Sequence, residues 1–185
     1  MEQYIVLLRG INVGGQKKIK MVDLKTVLED RGFDAVKTYI QSGNLVLSCT
    51  ETDPNTVKKC IETIIVDNFG FVVPVFILTP RELQLVYNNN PFLERINDGT
   101  LEANKMYFTL LAEKPKPQAV NNINSVSNPP EEFVVKDNVV YLYAAQGYGK
   151  TKLNNTFFEK KLACEATTRN YNTINKLLKL SGLRK

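Results

Sequence analysis

Residues 3–9, Gln-Tyr-Ile-Val-Leu-Leu-Arg, are apolar at nearly every position, the pattern of a central strand. Met21, Leu24, Val27 and Leu28 then recur at helical spacing, and Gly32 predicts the stop. Asp34–Ile40 reads as a strand, Gln41-Ser42-Gly43-Asn44 as a turn, and Leu45–Cys49 as its hairpin partner. Asp53 is placed to cap a second helix, with Pro54 in its first position and Val57, Ile61, Ile64 and Ile65 as its apolar stripe. Phe71–Leu78 predicts a fourth strand. Thr79-Pro80-Arg81-Glu82 reads as a capping box that opens a short helix through Val86.

The order so far is β-α-β-β-α-β, the ferredoxin-like or split-βαβ pattern. Residues 88–104 are rich in Asn, Pro, Gly and acids, and mark the boundary between two halves. The second half repeats the order. Lys105–Leu111 predicts a strand, Pro117–Val126 a helix, and Phe133–Val135 with Val139–Ala144 a hairpin across Lys136-Asp137-Asn138. Lys152–Ala163 predicts a helix with Leu153, Phe157 and Leu162 inward, Glu165–Thr168 a short closing strand, and Ile174, Leu177 and Leu178 the apolar face of a terminal helix that stops at Gly182. The fold class is therefore α+β, two ferredoxin-like halves in tandem, residues 1–99 and 100–185, the second with an extra terminal helix. Their sheets are mostly antiparallel with helices packed on them. Edge-to-edge and face-to-face arrangements of the halves both remain open.

Composition narrows function. A chain of 185 residues with 43% hydrophobic content can bury a core without a metal or disulfide staple. No apolar run approaches the roughly 20 residues of a membrane-spanning helix, and the start of the chain has no signal-peptide layout, so no membrane partner is expected. Cys49, Cys60 and Cys164 are odd in number and form no CxxC; Cys49 and Cys60 fall in apolar-patterned segments where cysteine acts as a small hydrophobe. A reducing cytoplasm is the expected location. The absence of histidine removes His-based triads, His acid–base relays and the commonest nitrogen ligand of zinc. The acids are scattered, so no catalytic carboxylate pair and no metal set is indicated. No cofactor is expected. The formal charge of +5 is uneven: residues 1–99 carry 11 Lys+Arg against 12 Asp+Glu, and residues 150–185 carry 9 against 2. That basic end would suit an anionic partner or simple solvation.

Four segments carry candidate chemistry. Leu7–Gly15 leads from a strand into a glycine-rich turn with Arg9 and Asn12, followed by Lys17, Lys18 and Lys20. Backbone N–H groups could converge there on an anion while Arg9 or Lys20 adds charge-assisted bonds, or the glycines could simply permit tight geometry. Thr38–Asn44 holds Ser42 and Asn44 in a turn expected at the opposite end of the sheet from the first loop, so that these two residues would join a site only with the other half. Ala144–Thr151 ends in the Gly-Lys-Thr of a nucleotide loop between a strand and a helix, but Ala144 stands where the first glycine should be. Gly147, Gly149 and Lys150, with Lys152, could hold a phosphate or carboxylate near the helix N-terminus. Finally, Thr168, Arg169 and Asn170 crowd a strand-to-helix junction. Asn170 or Thr168 could cap the helix, whereas a cation there is disfavoured by the dipole, which points Arg169 to a carboxylate or an anionic ligand.

Leu7–Gly15, Thr38–Asn44, Gly147-Tyr148-Gly149-Lys150-Thr151-Lys152-Leu153, Phe158-Glu159-Lys160-Lys161-Leu162 and Thr167–Thr173 together resemble a bacterial family catalogued as domain of unknown function 1697. Members often carry Arg-Ser where this chain has Lys150-Thr151, which keeps a cation and a hydroxyl. The resemblance implies a cytosolic α+β protein with ferredoxin-like halves and brings no activity, substrate or cofactor. The expected function is binding of a small phosphate- or carboxylate-bearing molecule. Arg9, Lys150 or Lys152, and Arg169 would hold the anion, and Asn12, Ser42, Asn44 and Asn170 would orient it. The alternative is a nucleic-acid-binding or protein-interaction module that uses the basic C-terminal region, although the aromatic and basic signature of RNA recognition is missing.

Overall fold

The opening apolar run folds as strand β1 (Glu2–Leu8), buried from Tyr4 to Leu8. The computed structural model describes residues 1–126 and 128–184, which pack as two units, 1–85 with 175–184, and 86–126 with 128–174.

In the first unit, β1 is followed by α1 (Met21–Asp30), β2 (Asp34–Tyr39), β3 (Asn44–Cys49), α2 (Pro54–Phe69) and β4 (Val75–Leu78). The strands form an antiparallel sheet in the order β2-β3-β1-β4. The Asp53 side chain accepts hydrogen bonds from Asn55 N and Thr56 N, so α2 starts where its local chemistry dictates. Tyr4, Val6 and Leu8 on one face of β1 join Leu24 and Leu28 of α1 and Val57, Ile61, Ile64 and Ile65 of α2 in a single core. Each of these fully buried aliphatic side chains stabilises the fold by about 1.5–3 kcal/mol. Strand β4 is shorter than the apolar run Phe71–Leu78 predicts. Pro74 has no N–H to give to the ladder, and its carbonyl instead accepts from Arg9 N at 3.0 Å. Cys49 is buried, but Cys60 is exposed on α2 and does not serve as a core hydrophobe.

Helix α3 (Pro80–Asn88) opens with the predicted capping box. Thr79 N donates to Glu82 Oε2 at 2.7 Å, and Glu82 N donates to Thr79 Oγ1 at 3.2 Å. The Asn- and Gly-rich stretch that follows contains α4 (Leu93–Asn97) and a 3-10 turn (Ala103–Lys105).

The second unit continues with β5 (Met106–Leu111), α5 (Pro117–Asn124), β6 (Glu132–Lys136), β7 (Val139–Tyr143), α6 (Asn155–Leu162), β8 (Ala166–Asn170) and α7 (Tyr171–Leu180). Its sheet is antiparallel in the order β6-β7-β5-β8, the same pattern as in the first unit. Leu111, Val140, Leu142, Leu153, Phe158 and Leu162 lie in its core. Phe158 and Leu162 are the buried residues of α6, and Phe157 is partly buried against the same core. The helix begins at Asn155, three residues later than its apolar pattern predicts, because the Asn154 side chain caps it by accepting from Phe157 N at 3.0 Å. Phe157 packs edge-on against Phe158 with ring centroids 5.4 Å apart. The chain is α+β, with two four-stranded antiparallel sheets and, among the described residues, seven α-helices, none long and apolar enough to cross a membrane.

Candidate functional site

The loop leaving β1 is a small braced hairpin. Asn12 N donates to Lys17 O at 3.2 Å and Gln16 N to Val13 O at 3.1 Å, with Gly14 (φ +58°) and Gly15 (φ +77°) at its tip. Two successive residues at positive φ are what a tight two-residue turn of this hand requires, so these glycines serve geometry first. Asn12 itself sits at φ +56° and holds the loop from inside. Its Nδ2 donates to Ile19 O at 2.9 Å and to Gln41 O at 2.7 Å, and its Oδ1 accepts from Ile19 N at 2.9 Å. Both N–H donors of the Asn12 amide are thereby engaged, and its role is to fix the loop rather than to offer donors to a ligand.

The bond from Asn12 to Gln41 also corrects the expected placement of the β2–β3 turn. Antiparallel pairing sets Leu7 opposite Asn44, and Leu8 N donates to Gly43 O at 2.8 Å. The turn therefore lies at the same end of the sheet as the loop leaving β1, not at the opposite end. Strands β1 and β2 run the same way in this sheet, so both finish on one edge. Gly43 makes the close approach. A Cβ there would stand 2.6 Å from Leu8 Cβ, and its backbone is at φ +76°. Asn44 is fully buried, and its Nδ2 donates to Tyr39 O at 3.1 Å and to Ser42 Oγ at 2.9 Å. Ser42 and Asn44 thus build the turn against which the first loop is tied.

Charge is what the loop presents outward. Residues 9–22 contain Arg9, Lys17, Lys18 and Lys20 and no acid. Lys17 Nζ reaches Val72 O at 2.7 Å, and Arg9 is half-buried. Lys18 and Lys20 are exposed, and their ammonium groups meet no partner among the described residues. Asp23 opens α1, and Glu62, which accepts from Val75 N at 3.3 Å, pairs with Lys58 at 3.9 Å.

In the second unit the Gly147–Lys152 loop leaves β7 at the end of the sheet where β8 finishes, since Met106 pairs with Tyr143 and Tyr107 with Asn170. Gly147 lies at φ +90° and its N–H closes a turn onto Ala144 O at 2.8 Å; Gly149 and Lys150 are exposed, as is Lys152. The polar groups beneath this loop are engaged with one another. Thr151 Oγ1 donates to the carboxylate of buried Glu131 at 2.5 Å and accepts from Leu153 N at 2.9 Å. Asn128 Nδ2 also donates to Glu131, at 2.6 Å. In a phosphate-binding loop the Lys-Thr pair opens the helix; here α6 starts only at Asn155, and the Thr151 hydroxyl is turned to a carboxylate.

Thr168 and Arg169 point to opposite faces of β8, as neighbours on a strand must. Thr168 Oγ1 lies 2.8 Å from Thr109 Oγ1 and donates to Asn155 Oδ1 at 2.9 Å. Asn155 in turn donates through its backbone N to Tyr148 Oη at 2.9 Å and through Nδ2 to Ala166 O at 3.1 Å. Arg169 is buried opposite Phe108, and its Nη1 donates to Thr167 Oγ1 at 2.8 Å and to Thr168 O at 2.9 Å. Burial pushes its guanidinium down to about 10, still charged at neutral pH. Asn170 Oδ1 accepts from Thr173 N at 2.8 Å and caps α7, one of the two roles open to it in the sequence.

Within each unit, then, the candidate residues converge on one end of the sheet, with different results. Arg9, Lys20 and the turn at Ser42–Asn44 surround a loop held by Asn12. Thr168, Asn170 and Thr151 are occupied within the fold, and Lys150 and Lys152 flank a threonine bound to Glu131. Lys17 and Lys18 join the first group beside Lys20, and the absence of any acid between residues 9 and 22 is the signal that marks them. Asn155, which ties α6 to β8 and to Tyr148, has no sequence signal, because its partners lie 7 to 13 residues away. Among the described residues, no group of three or more Cys, Asp or Glu could hold a metal ion.

No curated protein matches this chain. Among solved structures, it is similar to the conserved bacterial protein SP0830 from Streptococcus pneumoniae, with a TM-score of 0.73 and 23% identity over 97% of this chain and 98% of that one. At that identity the likeness speaks to the fold alone. The sequence pattern of the family described as "Protein of unknown function (DUF1697)" matches residues 1–141, a span that includes the braced loop, the β2–β3 turn, strands β1 to β6 and the first part of β7. The chain belongs to the DUF1697 family.

Proposed function

We propose that the chain is a tandem pair of ferredoxin-like units working in the cytoplasm, and that the first unit binds a small phosphate- or carboxylate-bearing molecule on the Arg9–Lys20 loop. The shared element order and the strand orders β2-β3-β1-β4 and β6-β7-β5-β8 support the ferredoxin-like reading. Three free thiols support a reducing compartment. The observation that carries the ligand reading is the conjunction of an acid-free basic loop with the three hydrogen bonds by which Asn12 holds it. A loop already ordered gives up little conformational entropy when a ligand arrives, and lysine and arginine donors to an anion make the stronger, charge-assisted class of hydrogen bond.

The Gly147–Lys152 loop is the weaker candidate on electrostatic grounds. A carboxylate within hydrogen-bonding distance of Thr151 lowers the positive potential around Lys150 and Lys152 and repels an incoming anion. The test is a calorimetric titration of the full chain with inorganic pyrophosphate at low ionic strength. The wild type binds saturably, Lys18→Ala with Lys20→Ala weakens binding by about tenfold or more, and Lys150→Ala with Lys152→Ala leaves it unchanged. Absence of saturable binding, or a loss confined to the Lys150/Lys152 variant, would overturn the reading. Tight, steeply salt-dependent binding of a short nucleic-acid duplex by the same protein would favour the nucleic-acid alternative.

A further inference from the structure

Strand β6 is an open sheet edge whose sequence is complementary to itself. The hydrogen bonds Leu111 N to Asn138 O (2.8 Å) and Ala144 N to Lys105 O (2.9 Å) set the phase of β7. Its even-numbered residues bond β5, and Val139, Tyr141 and Tyr143 bond their β6 partners Lys136, Val134 and Glu132. Phe133 and Val135 therefore turn their N–H and C=O groups outward, and these meet no partner among the described residues. The strand is regular over its five residues and alternates exposed and half-buried positions, with Val134 37% exposed. The β2 edge of the other sheet is guarded differently: its register slips between Asp34 and Lys37, and Ala35 sits at φ +50°. Such a bulge discourages strand addition, and β6 has none.

We infer that β6 pairs antiparallel with β6 of a second copy of this chain, about a two-fold axis through Val134. The sequence Glu132-Phe133-Val134-Val135-Lys136 then meets its own reverse. Val134 faces the partner's Val134 as a non-hydrogen-bonded pair. Phe133 exchanges both backbone hydrogen bonds with the partner's Val135, so four outward bonds form around the axis. Glu132 lies opposite the partner's Lys136, and the reverse, on the same sheet face as Val134. Glu132 is held ready for this by Arg95, whose Nη1 and Nη2 donate to its two carboxylate oxygens at 2.8 and 3.0 Å, while the Lys136 ammonium has no partner among the described residues. The charges that would repel an unrelated strand thus become matched pairs with a second copy, and this argues for a self-association over a foreign peptide. A cavity of about 520 Å³ lies beside the strand, lined by Asn124, Val126 and Asn128 together with Glu132, Phe133, Val134 and Val135.

One added strand buries less than the roughly 1,200 Å² of a standard stable interface, so the dimer is a weak, concentration-dependent one. Sedimentation velocity of the full chain from about 10 µM to about 1 mM covers that weak range. The wild type should pass from monomer to dimer across this range. Val134→Lys, a change at a solvent-open position that sets like charges on the axis, should weaken the dimer at least tenfold with an unchanged circular dichroism spectrum. Lys136→Glu should weaken it as well, and mixing that variant with Glu132→Lys should restore a heterodimer, because each then supplies the charge the other lacks. A monomer at every concentration, or a dimer indifferent to Val134→Lys, would overturn the inference.

Discussion

The two units share an element order and a strand order, yet they use similar residues at their candidate ends in opposite ways. At the end of β1, the polar side chains Asn12, Ser42 and Asn44 bond backbone and one another so as to hold a basic loop in one shape, with Lys18 and Lys20 left exposed on it. At the end of β7 and β8, Tyr148, Asn155, Thr168 and Thr109 link into a network inside the unit, Arg169 is buried, and Thr151 binds a carboxylate. Glycine-rich, basic and polar describes both segments. What separates them is whether the polar groups brace a charged surface or satisfy one another beneath it. The two loops also occupy non-equivalent positions, since one follows the first strand of its unit and the other the third.

The comparison can be broken most forcefully at Gly43. Gly43→Ala should destabilise the protein by about 3 kcal/mol, combining a positive φ with a Cβ driven into Leu8. Urea unfolding measures this, and a change below about 1 kcal/mol would mean that the turn and β1 can separate freely. Asn12→Ala removes three hydrogen bonds from a half-buried amide and should cost about 2 kcal/mol. It should also abolish pyrophosphate binding, since the loop loses its brace.

The second unit should answer to pH instead. Tyr141 donates its hydroxyl to Val86 O at 2.9 Å, and burial pushes its pKa up to about 12 from the ordinary 10. A phenol whose folded pKa is raised contributes stability that is complete below pH 10 and is lost as pH rises from 10 towards 12. Denaturant midpoints across that range should fall more steeply in the wild type than in Tyr141→Phe; equal slopes would contradict the assignment. Smaller still is Thr168→Val, which breaks the hydroxyl bonds to Thr109 and Asn155. It should cost about 1 kcal/mol and leave pyrophosphate binding unchanged, the reverse of the Asn12 outcome on function.

Local chemistry was readable from the chain, and long-range partnership was not. The Asp53 cap, the Thr79–Glu82 box and the Gln41–Asn44 turn involve residues within a few positions of one another, and all three form as their sequences predict. Misjudged positions trace to single residues: Pro74 shortens β4, and the Asn154 cap moves the start of α6, whose Phe158 lies deeper in the core than the partly buried Phe157. The end of the sheet on which the β2–β3 turn lies required following strand direction through the α1 crossover. The bonds that decide the character of each candidate end join residues far apart, Asn12 to Gln41 and Thr151 to Glu131, and nothing local in the chain marks either pair.

The most direct measurement is a titration of isotopically labelled full-length protein with inorganic pyrophosphate, followed through its backbone amide resonances. The braced basic loop predicts saturable shifts confined to residues 9–20 and 41–43, with those of 147–153 unmoved. Shifts centred on 147–153, or none that saturate, would contradict the claim that the first loop is the anion site.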